Sequence, residues 1–382
     1  MWMRRLLLQG GAALALGACS AANAPEAGAA EPPFTAMEVA SFTSPWAMDF
    51  LPGSGVPLTS MALVSEREGR LWLVDVNSGE RQAVSGIPSA VVAGQGGLGD
   101  IVADPDFAGN RRVYLTFVES GEGGTGATLG HGTLVLGQGA PRLENFKVIW
   151  RQQPKVSGNG HFAHRIAFSP DGQHLFLTSG DRQKMQPAQE LSGNLGKVLR
   201  LTKEGQPASG NPWTSRGSVA AEFWSIGHRN PLGIAFAPDG RLWVSEMGPQ
   251  GGDEINLIHP GKNYGWPEAS NGSHYGGGAI PDHKPGDGFE PPKVSWTPSI
   301  SPGGLLIYTG DLFKGWNGDA IVPALSGQAL IRVDIDGDKA TKADRWDMGA
   351  RIRAADQGPD GSVYLLTDED SGGKLLRLTP AS

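Results

Sequence analysis

Short runs of β-branched and aromatic residues, each introduced by a Pro-Asp-Gly turn, recur along this chain. Ser169-Pro-Asp-Gly-Gln-His-Leu-Phe-Leu-Thr-Ser-Gly-Asp181 is echoed by Ala237-Pro-Asp-Gly-Arg-Leu-Trp-Val-Ser-Glu246 and by Gly358-Pro-Asp-Gly-Ser-Val-Tyr-Leu-Leu-Thr-Asp368. Looser copies are Asp104-Pro-Asp-Phe107 leading to Arg112-Val-Tyr-Leu-Thr116, and Leu51-Pro-Gly53 leading to Met61-Ala-Leu-Val-Ser65. Each copy reads as a turn followed by an alternating strand. The repeat prolines stand at 52, 105, 170, 238 and 359, with gaps of 53, 65, 68 and 121. The last gap is about twice the others, which places a sixth, degenerate copy near Gly315-Trp-Asn-Gly-Asp-Ala-Ile-Val322. Six units of about 60 residues predict an all-β fold, a six-bladed β-propeller whose radial closure protects the sheet edges. A β-sandwich with incidental turns is the competing architecture. No long amphipathic helix and no domain break interrupts 34–380.

Composition agrees with many tight turns. The 382 residues include 57 Gly and 28 Pro, and only 19% are charged. A formal net charge of −7 argues against non-specific nucleic-acid binding. One cysteine excludes an intrachain disulfide, and no cysteine cluster exists for zinc or iron–sulfur. There is no Walker loop, strand-linked GxGxxG or GxSxG elbow.

The N-terminus reads as a targeting segment. Arg4 and Arg5 precede an apolar stretch, Leu6 to Leu16, too short to span a bilayer as a stable helix. Leu16-Gly-Ala-Cys19-Ser20 resembles a bacterial lipoprotein signal with Cys19 as the acylated residue; an ordinary secretory signal with a chance cysteine is the alternative. The expected organisation is a signal peptide over 1–18, a flexible tether over 19–33 and one propeller domain over 34–382. The protein is then expected in the periplasm, at the membrane only through its lipid anchor.

Propellers place their sites in loops at one end of the central channel. His161 follows a Gly-Asn-Gly turn, which suggests an accessible imidazole able to take a proton; a surface or packing histidine is the simpler role. His164 is a weaker candidate, and Arg165, entering an apolar strand, reads as an anchor. Asp181 could orient His161, contact substrate or serve only its turn. Gln95 lies in a glycine-rich loop. Arg351 and Arg353 alternate, so both guanidiniums project from one side of a strand, suited to carboxylates or phosphates or to solvent. His228, Arg229 and Asn230 precede a Pro-Leu-Gly turn, and Gly248-Pro249 precedes Asp253 and Glu254. A cation-and-amide cluster beside a loop of carboxylates and free carbonyls suits an anionic cofactor with a hard metal such as Ca²⁺. Trp296, in Trp-Thr-Pro-Ser-Ile-Ser-Pro302, offers an aromatic wall for a planar ring, or core.

Three motifs carry a family resemblance: GHRNPLG at 227–233, GP…DEINL…GKNYGWP at 248–267 and RIR…GPDG…YLLTD at 351–368. With them the chain, over roughly 40–380, resembles the soluble pyrroloquinoline-quinone (PQQ) dependent aldose dehydrogenases of the glucose/sorbosone dehydrogenase family. The resemblance implies a six-bladed propeller that binds PQQ and Ca²⁺ and oxidises aldose sugars at C1 to lactones by hydride transfer to the quinone. It assigns His161 as general base and Asp181 as an acid near base and substrate. Gln95, Arg229, Asn230, Arg351 and Arg353 become quinone contacts, Arg229 also lying near the reacting carbonyl. Gly248 and Pro249 become carbonyl ligands of Ca²⁺, Glu254 and Tyr264 further calcium-associated positions, and Trp296 and Ser299 less secure quinone-pocket positions. An electron acceptor, unidentified by the sequence, completes the cycle. Two positions depart from the family pattern: Ser326 follows Val322-Pro-Ala-Leu where glucose-specific members carry a lysine, and His164 stands where a small residue is common. A calcium-dependent lactonase-type hydrolase and a non-catalytic sugar- or protein-binding propeller are the alternatives on the same fold.

Overall fold

The computed structural model describes residues 31–53, 60–137 and 139–381; the leader and Cys19 lie outside the described residues. Strand β1 (Phe34–Phe42) stands apart in sequence from the sheet it joins. The first blade is β2 (Pro45–Phe50), β3 (Met61–Glu66), β4 (Arg70–Asp75) and β5 (Arg81–Val84). The second is β6 (Leu98–Ala103), β7 (Arg112–Gly121), β8 (Gly124–Val135) and β9 (Arg142–Arg151). The third is β10 (Ala163–Phe168), β11 (His174–Ser179), β12 (Lys197–Thr202) and β13 (Phe223–Ile226). In the fourth, β14 (Pro231–Phe236), β15 (Leu242–Glu246), β17 (Asp253–Ile258) and β19 (Val294–Trp296) form the sheet, while β16 (Gln250–Gly251) and β18 (Gly272–Ser273) pair separately. The fifth is β20 (Leu306–Ile307), β21 (Ala320–Ala324), β22 (Ala329–Asp336) and β23 (Lys339–Asp347). The sixth, β24 (Ile352–Gln357), β25 (Val363–Thr367) and β26 (Gly373–Pro380), is completed by β1, which pairs antiparallel with β26 from Phe34↔Pro380 to Phe42↔Gly373. Two ends of the chain thus share one sheet, which closes the ring and leaves no open blade.

Each repeated turn joins the first strand of a blade to its second, and the degenerate copy at 315–322 introduces β21. These second strands are buried along nearly their whole length rather than on one face. The reason is that each blade packs between two others, so the two faces of one strand feed two cores. Leu242 and Val244 enter the core between the third and fourth blades, while Trp243 enters the core between the fourth and fifth. Val363 and Leu365 face the fifth blade, and Tyr364 and Leu366 face the first. Period-two alternation therefore separates one apolar layer from another, not apolar from polar.

The first strands stand nearest the axis. In five blades their starts carry an irregularity against the second strand, at Pro45/Ala47, Leu98/Ile101, Ala163/Ile166, Pro231/Gly233 and Ile352/Ala354. A bulge re-aims the residue it releases from the ladder. Trp46, His164, Leu232 and Arg353, released in this way, all line one cavity.

Candidate active site

That cavity has a volume of about 570 Å³ and opens where the first strands begin. Its wall is built from the loops entering the first strands and those leaving the second strands. Gln95, Phe162, His164, Asn230, Arg351 and Arg353 are among its lining residues. Arg353 donates to Asp368 Oδ1 from Nε (2.9 Å) and a terminal nitrogen (2.6 Å), and Arg351 donates to Oδ2 from Nε at 2.8 Å. Burial alone would raise the Asp368 carboxyl, but the two arginines hold it below the ordinary range. One carboxylate shared by two guanidiniums leaves that trio with a net positive charge, while Arg67, Glu369 and Asp370 balance it elsewhere on the cavity wall. Arg353 also lies 4.4 Å from the Trp46 ring centroid, which fixes its plane.

His161 lies one step behind this wall, and Gln95 links the two: its Oε1 accepts the His161 backbone N–H at 2.7 Å. The imidazole is not the accessible group that the Gly-Asn-Gly turn suggests; its side chain is only 8% exposed. His161, Ala163 and His164 all take left-handed backbone conformations, with φ of +50°, +57° and +54°. That unusual run folds the ring inward against the end of β11. Gly180 makes this possible, because a Cβ there would stand 2.1 Å from the His161 carbonyl oxygen.

Inside, His161 Nδ1 is 2.7 Å from Asp181 Oδ1. Asp181 is fully buried, and its second oxygen accepts from Trp266 Nε1 at 2.8 Å. The Gln183 and Met185 N–H groups also donate to the carboxylate. A carboxylate so placed accepts from Nδ1–H in the neutral tautomer that would leave the Nε2 lone pair for a substrate. Arg229 is buried, its guanidinium donating to the Met247 carbonyl at 3.0 Å and lying 5.3 Å from the Trp266 ring. Two buried polar atoms here, Arg229 Nε and Asn230 Oδ1, have no hydrogen-bond partner.

A second cavity of about 10 Å³, room for one water or ion, adjoins Arg229. Glu246, Gly248, Glu254 and Tyr264 line it, whereas Pro249 lines neither cavity. Burial, then the charge of Glu246, pushes the Glu254 carboxyl up to about 8. Two buried carboxylates around so small a space suit a hard cation. Among the described residues no group of three or more His, Cys, Asp or Glu is placed to hold a metal, so carbonyls and water must complete a coordination shell. Glu246 was missed from sequence; as the polar end of a repeated strand it looks like an ordinary cap. Asp253, beside Glu254 in the chain, points the other way. It accepts from the Gly248, Ile300 and Ser301 N–H groups at 2.7–2.8 Å and so braces two site loops.

Of the assigned quinone contacts, Trp296 and Ser299 line neither cavity, and Arg229 lines only the second. Trp296 sits on β19, the fourth strand of its blade, and packs in the core between the fourth and fifth blades. Its ring is there because the fourth strand is far from the axis. Ser299 donates to Asp253 Oδ1 and accepts from Gly251 N, while Ser301 lines the cavity instead. Ser326 bonds the Ser301 hydroxyl at 2.7 Å. Tyr264 uses its hydroxyl on the Leu257 carbonyl and stacks on His228. His164 is buried in the cavity wall, 2.7 Å from Thr116 Oγ1 through Nδ1; burial, then Arg165, depresses its imidazole to about 3, so it is neutral. Arg165 anchors Asp100 across blades at 3.3 Å, the structural role its sequence position suggests.

The profile describing Glucose / Sorbosone dehydrogenase matches residues 42–377. Aldose sugar dehydrogenase YliI of Escherichia coli (strain K12) is 39% identical over 343 residues, covering 88% of this chain and 90% of that protein. The apo-form crystal structure of the soluble aldose sugar dehydrogenase from Escherichia coli superposes with a TM-score of 0.84 at 38% identity, over 91% of this chain and 100% of the other. The PQQ-bound aldose sugar dehydrogenase of Streptomyces coelicolor gives 0.72 at 28% identity, over 92% and 99%. The chain belongs to the glucose/sorbosone dehydrogenase family.

Proposed function

We propose that this protein is a PQQ- and Ca²⁺-dependent aldose dehydrogenase that oxidises the C1 hemiacetal of a sugar to the lactone. The observation that carries the reading is the buried His161–Asp181 pair, tied through Gln95 to a cavity that bears the Arg351–Arg353 pair. The unpartnered Arg229 Nε and Asn230 Oδ1 are what a polar cofactor would satisfy, so the residues present fit the quinone. Arg351 and Arg353 would hold its carboxylates, with Gln95 and Asn230 at its edges; Glu254, Glu246, Gly248 and Tyr264 would surround the metal.

When bound, the quinone with its Ca²⁺ supplies the acceptor for the C1 hydrogen and its electron pair, chemistry no side chain here offers. His161 Nε2 takes the C1 hydroxyl proton as the C1–O double bond forms. Asp181 stabilises the resulting imidazolium and holds its plane. Arg229 supplies fixed positive charge beside the reacting centre. An external electron acceptor then regenerates the enzyme. The dehydrogenase names of the relatives favour this reading over the hydrolase and the binding propeller.

Dye reduction by purified protein with PQQ and Ca²⁺, against a panel of aldoses with a chelator control, tests the proposal. Activity requiring sugar, quinone and metal together is expected; lactone hydrolysis without quinone would support the hydrolase instead. We place the mature protein in the periplasm, lipid-anchored through Cys19, because Arg4, Arg5 and the apolar stretch before Leu16-Gly-Ala-Cys19 match such a signal. Cys19→Ala should move it from the membrane fraction to the soluble one; unchanged partition would refute the anchor.

A further inference from the structure

The row of contacts that begins at the base ends, at the surface, in an aromatic ring the mechanism above leaves unused. Tyr275 is 72% exposed, more than any other large hydrophobic side chain among the described residues. It sits at the tip of a hairpin: Ser273 bridges Ala279, and the His274 N–H donates to the Gly278 carbonyl. At the hairpin's base, β18 pairs with β16, directly after Gly248 and Pro249. Gly276, Gly277 and Gly278 follow with φ of +89°, +92° and +128°, conformations that let the tip turn so tightly.

An isolated exposed apolar residue needs no explanation. Tyr275 differs because it is held over a buried group of the site. The Arg229 guanidinium lies 5.8 Å from its ring centroid and 5.3 Å from that of Trp266. Trp266 Nε1 donates to Asp181, and Asp181 holds His161. A continuous chain of contacts therefore runs from proton acceptor to solvent, ending in an aromatic face. A sugar whose C1 hydroxyl meets His161 Nε2, and whose far end follows these contacts outward, would reach Tyr275. The axial C–H face of a pyranose complements the electron-rich face of an aromatic ring.

We propose that Tyr275 is the platform on which the distal ring of a disaccharide stacks, so that it sets how strongly the enzyme favours longer aldoses over monosaccharides. The inference rests on the dehydrogenase reading. In the quinone- and Ca²⁺-loaded enzyme, Tyr275→Ala should raise KM for maltose about three- to tenfold, the size of one aromatic contact. KM for glucose should move less, and kcat should stay within about twofold, since uniform binding is what is removed. Tyr275→Phe should behave as the wild type. An unchanged maltose KM, or an equal rise for both sugars, overturns the platform; a weakened quinone affinity in Tyr275→Ala overturns it too, by placing the ring in the cofactor's seat. Saturation-transfer NMR with 1,5-anhydromaltitol, which lacks the C1 hydroxyl, reads the contact without turnover. Transfer to the distal ring in wild type, lost in Tyr275→Ala, is expected. If no aldose is oxidised yet this transfer is present, the dehydrogenase reading fails and the platform stands; if transfer is absent as well, both fall.

Discussion

Replacing Asp181 with Asn probes the catalytic assignment most sharply, because it changes charge and proton placement but almost no volume. In the native protein, Asp181 Oδ1 stands 2.7 Å from His161 Nδ1, and the carboxylate is fully buried. Taking about 4 Å between charge centres and an effective dielectric constant of about 20, the carboxylate stabilises an imidazolium by about 4 kcal/mol. Each 1.4 kcal/mol is about tenfold, so kcat should fall about a thousandfold. An Asn amide turned toward Nδ1 would also move the ring proton to Nε2 and block the base, which deepens the loss. The assay is aldose-dependent dye reduction by the reconstituted variant, beside a quinone titration and a thermal melt. Quinone affinity should stay within about twofold, because Asp181 lines neither cavity. A kcat within threefold of wild type, in a folded variant that binds quinone, would refute the dyad.

Three further outcomes follow from the same geometry. Arg353→Ala should weaken quinone binding about ten- to a hundredfold, the contribution of a charge-assisted hydrogen bond, and a loss below twofold by fluorescence titration would remove Arg353 from the seat. Ca²⁺ should raise the melting temperature of the quinone-free wild type but not of Glu254→Gln; equal shifts would place the ion elsewhere. Burial, and the charge of nearby Asp100, push the carboxyl of Asp356, on β24, from an ordinary 3.8 up to about 7. The folded state then holds the extra proton, so this group favours folding below about pH 4 and its contribution is lost as pH rises toward 7. Asp356→Asn should flatten that part of the melting-temperature profile; an unaltered slope would contradict it.

Much of the architecture is legible in the sequence because a propeller repeats its physics. A tight turn, Pro-Asp-Gly in three blades, followed by a strand buried on both faces, recurs where two blades sandwich a third. The degenerate copy lacks that turn but keeps Ala320-Ile-Val322, the apolar strand itself. The site is less legible, since its geometry comes from irregularities. No local pattern marks the bulges that aim Trp46, His164 and Arg353 into the cavity. The turn before His161 suggests exposure, yet left-handed backbone conformations bury the ring on Asp181. Trp296 looks like a ring-stacking wall because an aromatic before Thr-Pro does not say which strand of a blade it occupies. Asp368 closes a repeated strand and only in three dimensions meets both Arg351 and Arg353.

The central claim is that His161 takes a proton from a sugar whose C1 hydrogen leaves to a quinone held beside it. A single-turnover reaction tests it directly: apoprotein with one equivalent of PQQ and excess Ca²⁺, no dye and no oxygen, mixed with glucose and analysed for lactone. The account predicts about one equivalent of lactone per site from wild type. It predicts none on that timescale from His161→Ala, which should bind quinone equally well. Lactone formed as fast by His161→Ala, or none from a quinone-saturated wild type across the aldose panel, would contradict it.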